Sequence, residues 1–157
     1  MLKVLILPGD GIGPEIMASA KTLLTALAVP IQMSEALAGG AALEEGLDLI
    51  PPETLARITD ADATLKGPIT TPIGRGFSSV NVSLRQHFEL YANVRPILSL
   101  PGTKARYQDL DLIVVRENLE GLYSGQGHSL SEDGNRAELK SIITKAGSAN
   151  IIRHAFE

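Results

Sequence analysis

The feature that most constrains the fold lies at the start of the chain. A short apolar run, Val4–Leu7, ends at Pro8-Gly9 and gives way within a few residues to a helix signal. Pro14 suits a first helical turn, and Glu15 complements the positive end of the helix dipole. Ile16, Ala20, Leu23, Leu24 and Leu27 then recur at helical spacing. Ile31–Leu37 reads as a second strand, Pro51-Pro52-Glu53 opens a helix through about Thr59, and Ala63–Lys66 is a third strand running into Gly67-Pro68. Strand, helix and strand in this rhythm predict an α/β layer built on a largely parallel sheet. A chain of 157 residues suits one domain, or one and part of a second, and buries about 68–70% of its unfolded surface.

The rest of the chain is less regular. Residues 70–76 read as a Thr-, Pro- and Gly-rich loop, Ser79–Leu90 as a helix and Asn93–Leu98 as a strand. Pro101-Gly102 breaks the chain and is a candidate domain crossover. Leu110–Val115 is the strongest strand signal. Tyr123–Ile143, with Gly125, Gly127 and Asp133-Gly134, fits a hairpin or long β-arm. From Lys145 to Glu157 the pattern is helical and stops without a glycine cap or tail, which we read as a truncation.

Composition excludes several classes of function. Hydrophobic residues make up 44% and charged residues 20%, the balance of a globular chain. There is no cysteine, which removes disulfides, thiolate metal sites and a cysteine nucleophile. The net charge of −4 argues against nucleic-acid or anionic-membrane binding. No apolar run approaches the ~20 residues of a membrane span, and the N-terminus lacks the pattern of a signal peptide. A soluble, cytoplasmic protein is therefore expected, in which any anion is held by local placement of arginines.

Gly9-Asp10-Gly11-Ile12-Gly13 invites a dinucleotide-binding reading, but the third glycine of that fingerprint falls on Pro14. A tight turn with positive φ fits these residues better. The anion candidates come later. In Ser79-Val80-Asn81-Val82-Ser83-Leu84-Arg85, Asn81 and Arg85 are four apart and share one helical face. Ser79 stands at the helix start, either capping free amides or beside an anion held there. Arg95 lies in Asn93-Val94-Arg95-Pro96, and Arg116 closes the strand 110–115. Taken singly, each arginine is more simply a solvated surface residue. Together, beside turns and strand ends, Arg85, Arg95 and Arg116 suit a di- or tricarboxylate, because each guanidinium is a planar fork for carboxylates. Tyr123 is either a half-buried anchor or a proton donor, and the second role requires cations near its phenol. His87, His128 and His154 show no metal-ligand spacing and read as structural or surface residues.

The run GDGIGPE at 9–15 resembles the β-decarboxylating dehydrogenases, which oxidise 2-hydroxy acids such as isocitrate and 3-isopropylmalate. So do KGPITTP at 66–72, SVNVSLR at 79–85, LYANVRP at 90–96 and VRENLEGLYSG at 115–125. Within that family the chain looks most like the NAD-type isocitrate dehydrogenases. Isopropylmalate enzymes carry leucines in this region to receive an isopropyl group, and a buried hydroxyl and amide at Ser79 and Asn81 left unpaired by an alkyl group would cost about 1–3 kcal/mol.

The resemblance implies a two-domain α/β isocitrate/isopropylmalate dehydrogenase fold, not a Rossmann fold, incomplete in this chain. Residues 1–100 would be the first segment of the large domain, and 101–157 the start of the small domain with its β-arm. It implies substrate contacts by Ser79, Asn81, Arg85, Arg95 and Arg116, a catalytic role for Tyr123, and Thr70 near the nicotinamide with Lys66 and Thr71 close by. The implied reaction is oxidative decarboxylation of isocitrate to 2-oxoglutarate with NAD or NADP, assisted by Mg2+ or Mn2+. The metal ligands, the lysine contributed across the dimer and most of the adenosine site would lie in the absent half. The chain is thus expected to be inactive alone and to form a homo-oligomer or join a complementing C-terminal half. Competing readings are a non-catalytic polycarboxylate-binding or self-associating protein, and an enzyme for isopropylmalate, homoisocitrate or tartrate.

Overall fold

A computed structural model describes residues 1–70 and 79–157. The predicted loop at 70–76 lies, after Thr70, outside the described residues, as does Thr71. The chain divides into two compact units, Met1–Asn81 and Val82–Glu157.

In the first unit, strand β1 (Leu2–Leu7) lies between β2 (Ile31–Glu35) and β3 (Ala63–Lys66), and both pairings are parallel. A central parallel strand is covered on both faces, so it needs an uninterrupted apolar run rather than alternation. Leu5, Ile6 and Leu7 accordingly expose none of their surface. Each such side chain contributes roughly 1.5–3 kcal/mol by burial. Helix α1 (Gly13–Ala26) follows β1 with Pro14 in its first turn and Met17 buried. β2 ends at Glu35, two residues before the predicted Leu37, although Ala36 still donates its amide to Ile6 at 3.0 Å.

A short helix, α2 (Gly40–Glu44), was not predicted, because five residues beginning at a glycine pair carry no helical period. Helix α3 (Pro52–Asp60) has Glu53 in its first turn and Arg57 in its last, as the dipole favours. Its buried Thr54 donates a 2.8 Å hydrogen bond to the Leu37 carbonyl, tying α3 to the chain after β2.

Helix α4 (Val80–His87) begins one residue after Ser79. It stops before the predicted Leu90 for a local reason. Glu89 takes φ of 50°, the Leu90 amide donates to Arg85 at 2.8 Å and the Glu89 amide to Gln86 at 3.3 Å. That is a Schellman ending with glutamate where glycine is usual, so composition gave no warning of it.

In the second unit, β4 (Ala92–Leu98) and β5 (Asp111–Glu117) pair antiparallel, with Asn93 opposite Arg116 and Arg95 opposite Val114. Pro101-Gly102 forms part of the connection between these paired strands. Helix α5 (Lys145–Phe156) packs against β5. Its N-cap, Thr144, accepts from the Gly147 amide while donating its own amide and hydroxyl to Glu120. The predicted β-arm contains two strands of two residues each, β6 (Ser129–Leu130) and β7 (Ala137–Glu138), paired antiparallel around Asp133-Gly134. Among the described residues no helix is long and apolar enough to cross a membrane.

The glycine turn after β1 does the structural work expected of it. Gly9 has φ of 78°, and a Cβ there would overlap the Pro68 carbonyl at the end of β3. Gly46 has a similar φ of 73° but open space around it. Both Gly9→Ala and Gly46→Ala therefore strain the backbone, while only Gly9→Ala also forces β1 and β3 apart. Urea unfolding should show the larger loss for Gly9→Ala, by about 1–3 kcal/mol. Equal losses would mean that the close approach contributes nothing.

Candidate functional site

The second unit assembles part of the predicted constellation. In an antiparallel pair, opposed residues and those two positions along share a face. Asn93, Arg95 and Arg116 thus lie on one face of the β4–β5 sheet. The Arg95 guanidinium donates from Nε to Asn93 Oδ1 at 3.3 Å. Arg116 donates to the Tyr123 hydroxyl, and its guanidinium carbon stands 5.3 Å from the centre of the tyrosine ring.

Tyr123 sits in a 3-10 turn, Leu122–Ser124, bounded by Gly121 at φ 67° and Gly125 at φ 66°. Its carbonyl accepts from Gln86 Nε2 at 3.0 Å. The tyrosine is therefore held at its backbone by α4 and at its phenol by β5. This meets the requirement for a cation beside the phenol and leaves Arg95 and Arg116 partly open to solvent.

Asn81 and Arg85 lie one turn apart on α4. Asn81 Oδ1 is buried and has no hydrogen-bond partner among the described residues. A buried amide oxygen left unpaired costs roughly 1–3 kcal/mol. Such a group calls for a donor that the described protein does not supply. Ser79 and Arg85 are half-buried.

Thr70 belongs to a separate cluster in the first unit, at the ends of β1 and β3. Its amide donates to Asp10 Oδ1 at 2.7 Å, and the other carboxylate oxygen of Asp10 accepts from the Gly40 amide at 2.8 Å. Lys66 donates to the Gly67 carbonyl at 2.7 Å. Sequence reasoning named neither Asp10 nor Gln86. Asp10 looked like a residue of a glycine turn, and its partners lie 30 and 60 residues away. Asn93 could have been found, since it stands two positions before Arg95 in a strand. Among the described residues, no three His, Asp or Glu side chains are grouped so as to hold a metal ion.

Residues 3–157 match the isocitrate/isopropylmalate dehydrogenase family. The chain belongs to that family. It is 44% identical over 151 residues to isocitrate dehydrogenase (NAD) catalytic subunit 5, mitochondrial, of Arabidopsis thaliana, covering 96% of this chain and 40% of that protein. It is 40% identical over 156 residues to 3-isopropylmalate dehydrogenase, chloroplastic, of Solanum tuberosum, covering 99% of this chain and 43% of that protein. The crystal structure of isocitrate dehydrogenase from Methylococcus capsulatus superposes with a TM-score of 0.92 at 45% identity, covering 99% of this chain and 47% of that one. The fold is thus the α/β fold of this family, present in part. The chain spans about two-fifths of the length of the curated relatives it matches.

The electrostatics of Asp10 give a direct test of the first-unit cluster. Desolvation acts to raise its pKa, but the Thr70 amide and hydroxyl, the Gly40 amide and the charge of Lys66 outweigh it and hold the carboxyl below its ordinary value of 3.8. A depressed carboxylate contributes stability above its unfolded-state pKa and loses it as pH falls through the folded-state value. The stability gap between wild type and Asp10→Asn should therefore be full at pH 7 and shrink below about pH 4. A gap that is constant from pH 7 to pH 2 in urea titrations would contradict this.

Proposed function

We propose that this chain supplies the substrate-binding part of an NAD-dependent isocitrate dehydrogenase that yields 2-oxoglutarate by oxidative decarboxylation. The observation that carries the reading is the pairing of Arg116 with the Tyr123 phenol on the strand face that also holds Asn93 and Arg95. Arg85, Arg95 and Arg116 would receive substrate carboxylates bidentately, and Arg116 would hold the Tyr123 hydroxyl where it can pass a proton to the substrate. Ser79 and Asn81 would favour a polar third carboxylate arm over an alkyl group, because the Ser79 hydroxyl and the Asn81 side-chain NH2 can donate to carboxylate oxygens.

Thr70 would meet the nicotinamide. It is exposed, and Gly11 leaves it uncovered: a Cβ at Gly11 would stand 3.8 Å from Thr70 Oγ1. Such a surface fits a flat aromatic ring, and the oxidised nicotinamide when bound would supply the hydride acceptor. The described residues do not form a metal cluster, so we derive no step through a metal ion from this chain. In this reading residues 1–100 belong to the large domain of a longer protein and 101–157 to its small domain.

A second reading, self-association without catalysis, draws on the apolar side chains exposed on β4 and β5, including Leu98 and Ile113 at 63% and 64%. The readings separate in one assay. The purified chain with isocitrate, NAD and Mg2+ or Mn2+ should give no turnover, and addition of a C-terminal portion of the family fold should restore it. Turnover by the chain alone would contradict the incomplete-site reading, and failure of every complementation would favour self-association.

A further inference from the structure

Asp10 stands outside the chemistry proposed above, yet both oxygens of its carboxylate accept backbone hydrogen bonds. Its carboxylate spans two elements that are remote in sequence, accepting from the Thr70 amide at 2.7 Å and the Gly40 amide at 2.8 Å. Its own amide donates to the Pro68 carbonyl at 3.1 Å. The surrounding residues make room for it. A Cβ on Gly39 would lie 2.8 Å from Oδ2, and one on Gly40 3.1 Å from the same atom. Lys66 is the cation acting on the carboxylate, and its ammonium hydrogen-bonds the Gly67 carbonyl. Two amides aimed at two separate oxygens specify an ionised carboxylate, because an asparagine side chain offers a single acceptor oxygen.

We propose that Asp10 is a positioning residue for the cofactor side of the site, fixing the Thr70 backbone so that Thr70 meets the nicotinamide in one orientation. The proposal rests on the assignment of Thr70 to the cofactor. Thr70 is exposed and lies four residues beyond the end of β3. A ligand meeting an unordered residue must offset its lost conformational freedom. Asp10 removes that cost in advance by tying Thr70 to the turn after β1 and to the start of α2. Asp10 itself need touch neither substrate nor cofactor for this.

The test uses the 157-residue chain labelled for NMR, as wild type, Asp10→Ala and Asp10→Asn. Two quantities are read: amide hydrogen exchange at Thr70, Gly40 and Leu5–Leu7, and the response of Thr70 and Gly11 resonances to added NAD+. In Asp10→Ala, exchange at Thr70 and Gly40 should be about tenfold faster and NAD+ binding about tenfold weaker. Leu5–Leu7 should stay protected. Asp10→Asn should lose protection at one of the two amides and bind with intermediate affinity, and it carries the test if Asp10→Ala loses protection throughout β1. Wild-type exchange at Thr70 in both variants would overturn the proposal. Lost protection with unchanged NAD+ affinity would reduce Asp10 to a structural tie and overturn it as well. If Thr70 and Gly11 of the wild type do not respond to NAD+ even with the C-terminal portion of the family fold added, the cofactor assignment of Thr70 fails first and the positioning role falls with it.

Discussion

The close approach of two strand ends governs the first unit. Pro8-Gly9 after β1 and Gly67-Pro68 after β3 run so near each other that a Cβ on Gly9, Gly13 or Gly67 would meet a backbone carbonyl. Neighbouring parallel strands with α/β connections present their carboxyl ends together, which is where ligand loops collect in such sheets. Here the glycines serve backbone contact and helix departure. They bring Asp10 to Pro68 and Thr70, and they let α1 leave directly above Gly67, whose missing side chain makes room for Met17. The motif that resembles a phosphate cradle is in this chain a strand-to-strand seam.

The second unit shows how a chain of net charge −4 can still bring cationic side chains together on one face. Antiparallel register, rather than overall charge, places the groups. Once Asn93 is opposite Arg116, the two-residue period of β4 brings Arg95 onto the same face. The glycine-bounded turn at 122–124 then returns Tyr123 to Arg116. Local cations of this kind act over a few ångströms, whereas the background charge is screened within a Debye length of about 8 Å at physiological salt. Relatives named for isocitrate and for 3-isopropylmalate both match nearly the whole chain, so membership of the family does not choose between the two substrates.

Much of this was legible in the sequence. The strands β1 and β3 and the helices α1, α3 and α5 fell where apolar period and proline placement put them, because each is decided by residues close in sequence. The arginines and Tyr123 could be nominated as site residues, and the structure joins Arg116 to Tyr123 directly. What escaped depended on distant partners or on exceptions to residue preference. Asp10 acquires its role from Gly40 and Thr70. The end of α4 depends on Glu89 in a left-handed conformation that glycine normally supplies. Helix α2 is too short to show a period, and Gln86 reaches Tyr123 across 37 residues.

The central claim is that this chain carries the recognition of a tricarboxylate, with Arg116 at its heart. Equilibrium binding of isocitrate and of 3-isopropylmalate to the purified chain, with Arg116→Ala alongside, tests it most directly. The account predicts tighter binding of isocitrate than of 3-isopropylmalate, and about tenfold weaker isocitrate binding in Arg116→Ala. Equal affinity for the two acids, or isocitrate binding that survives Arg116→Ala undiminished, would contradict it.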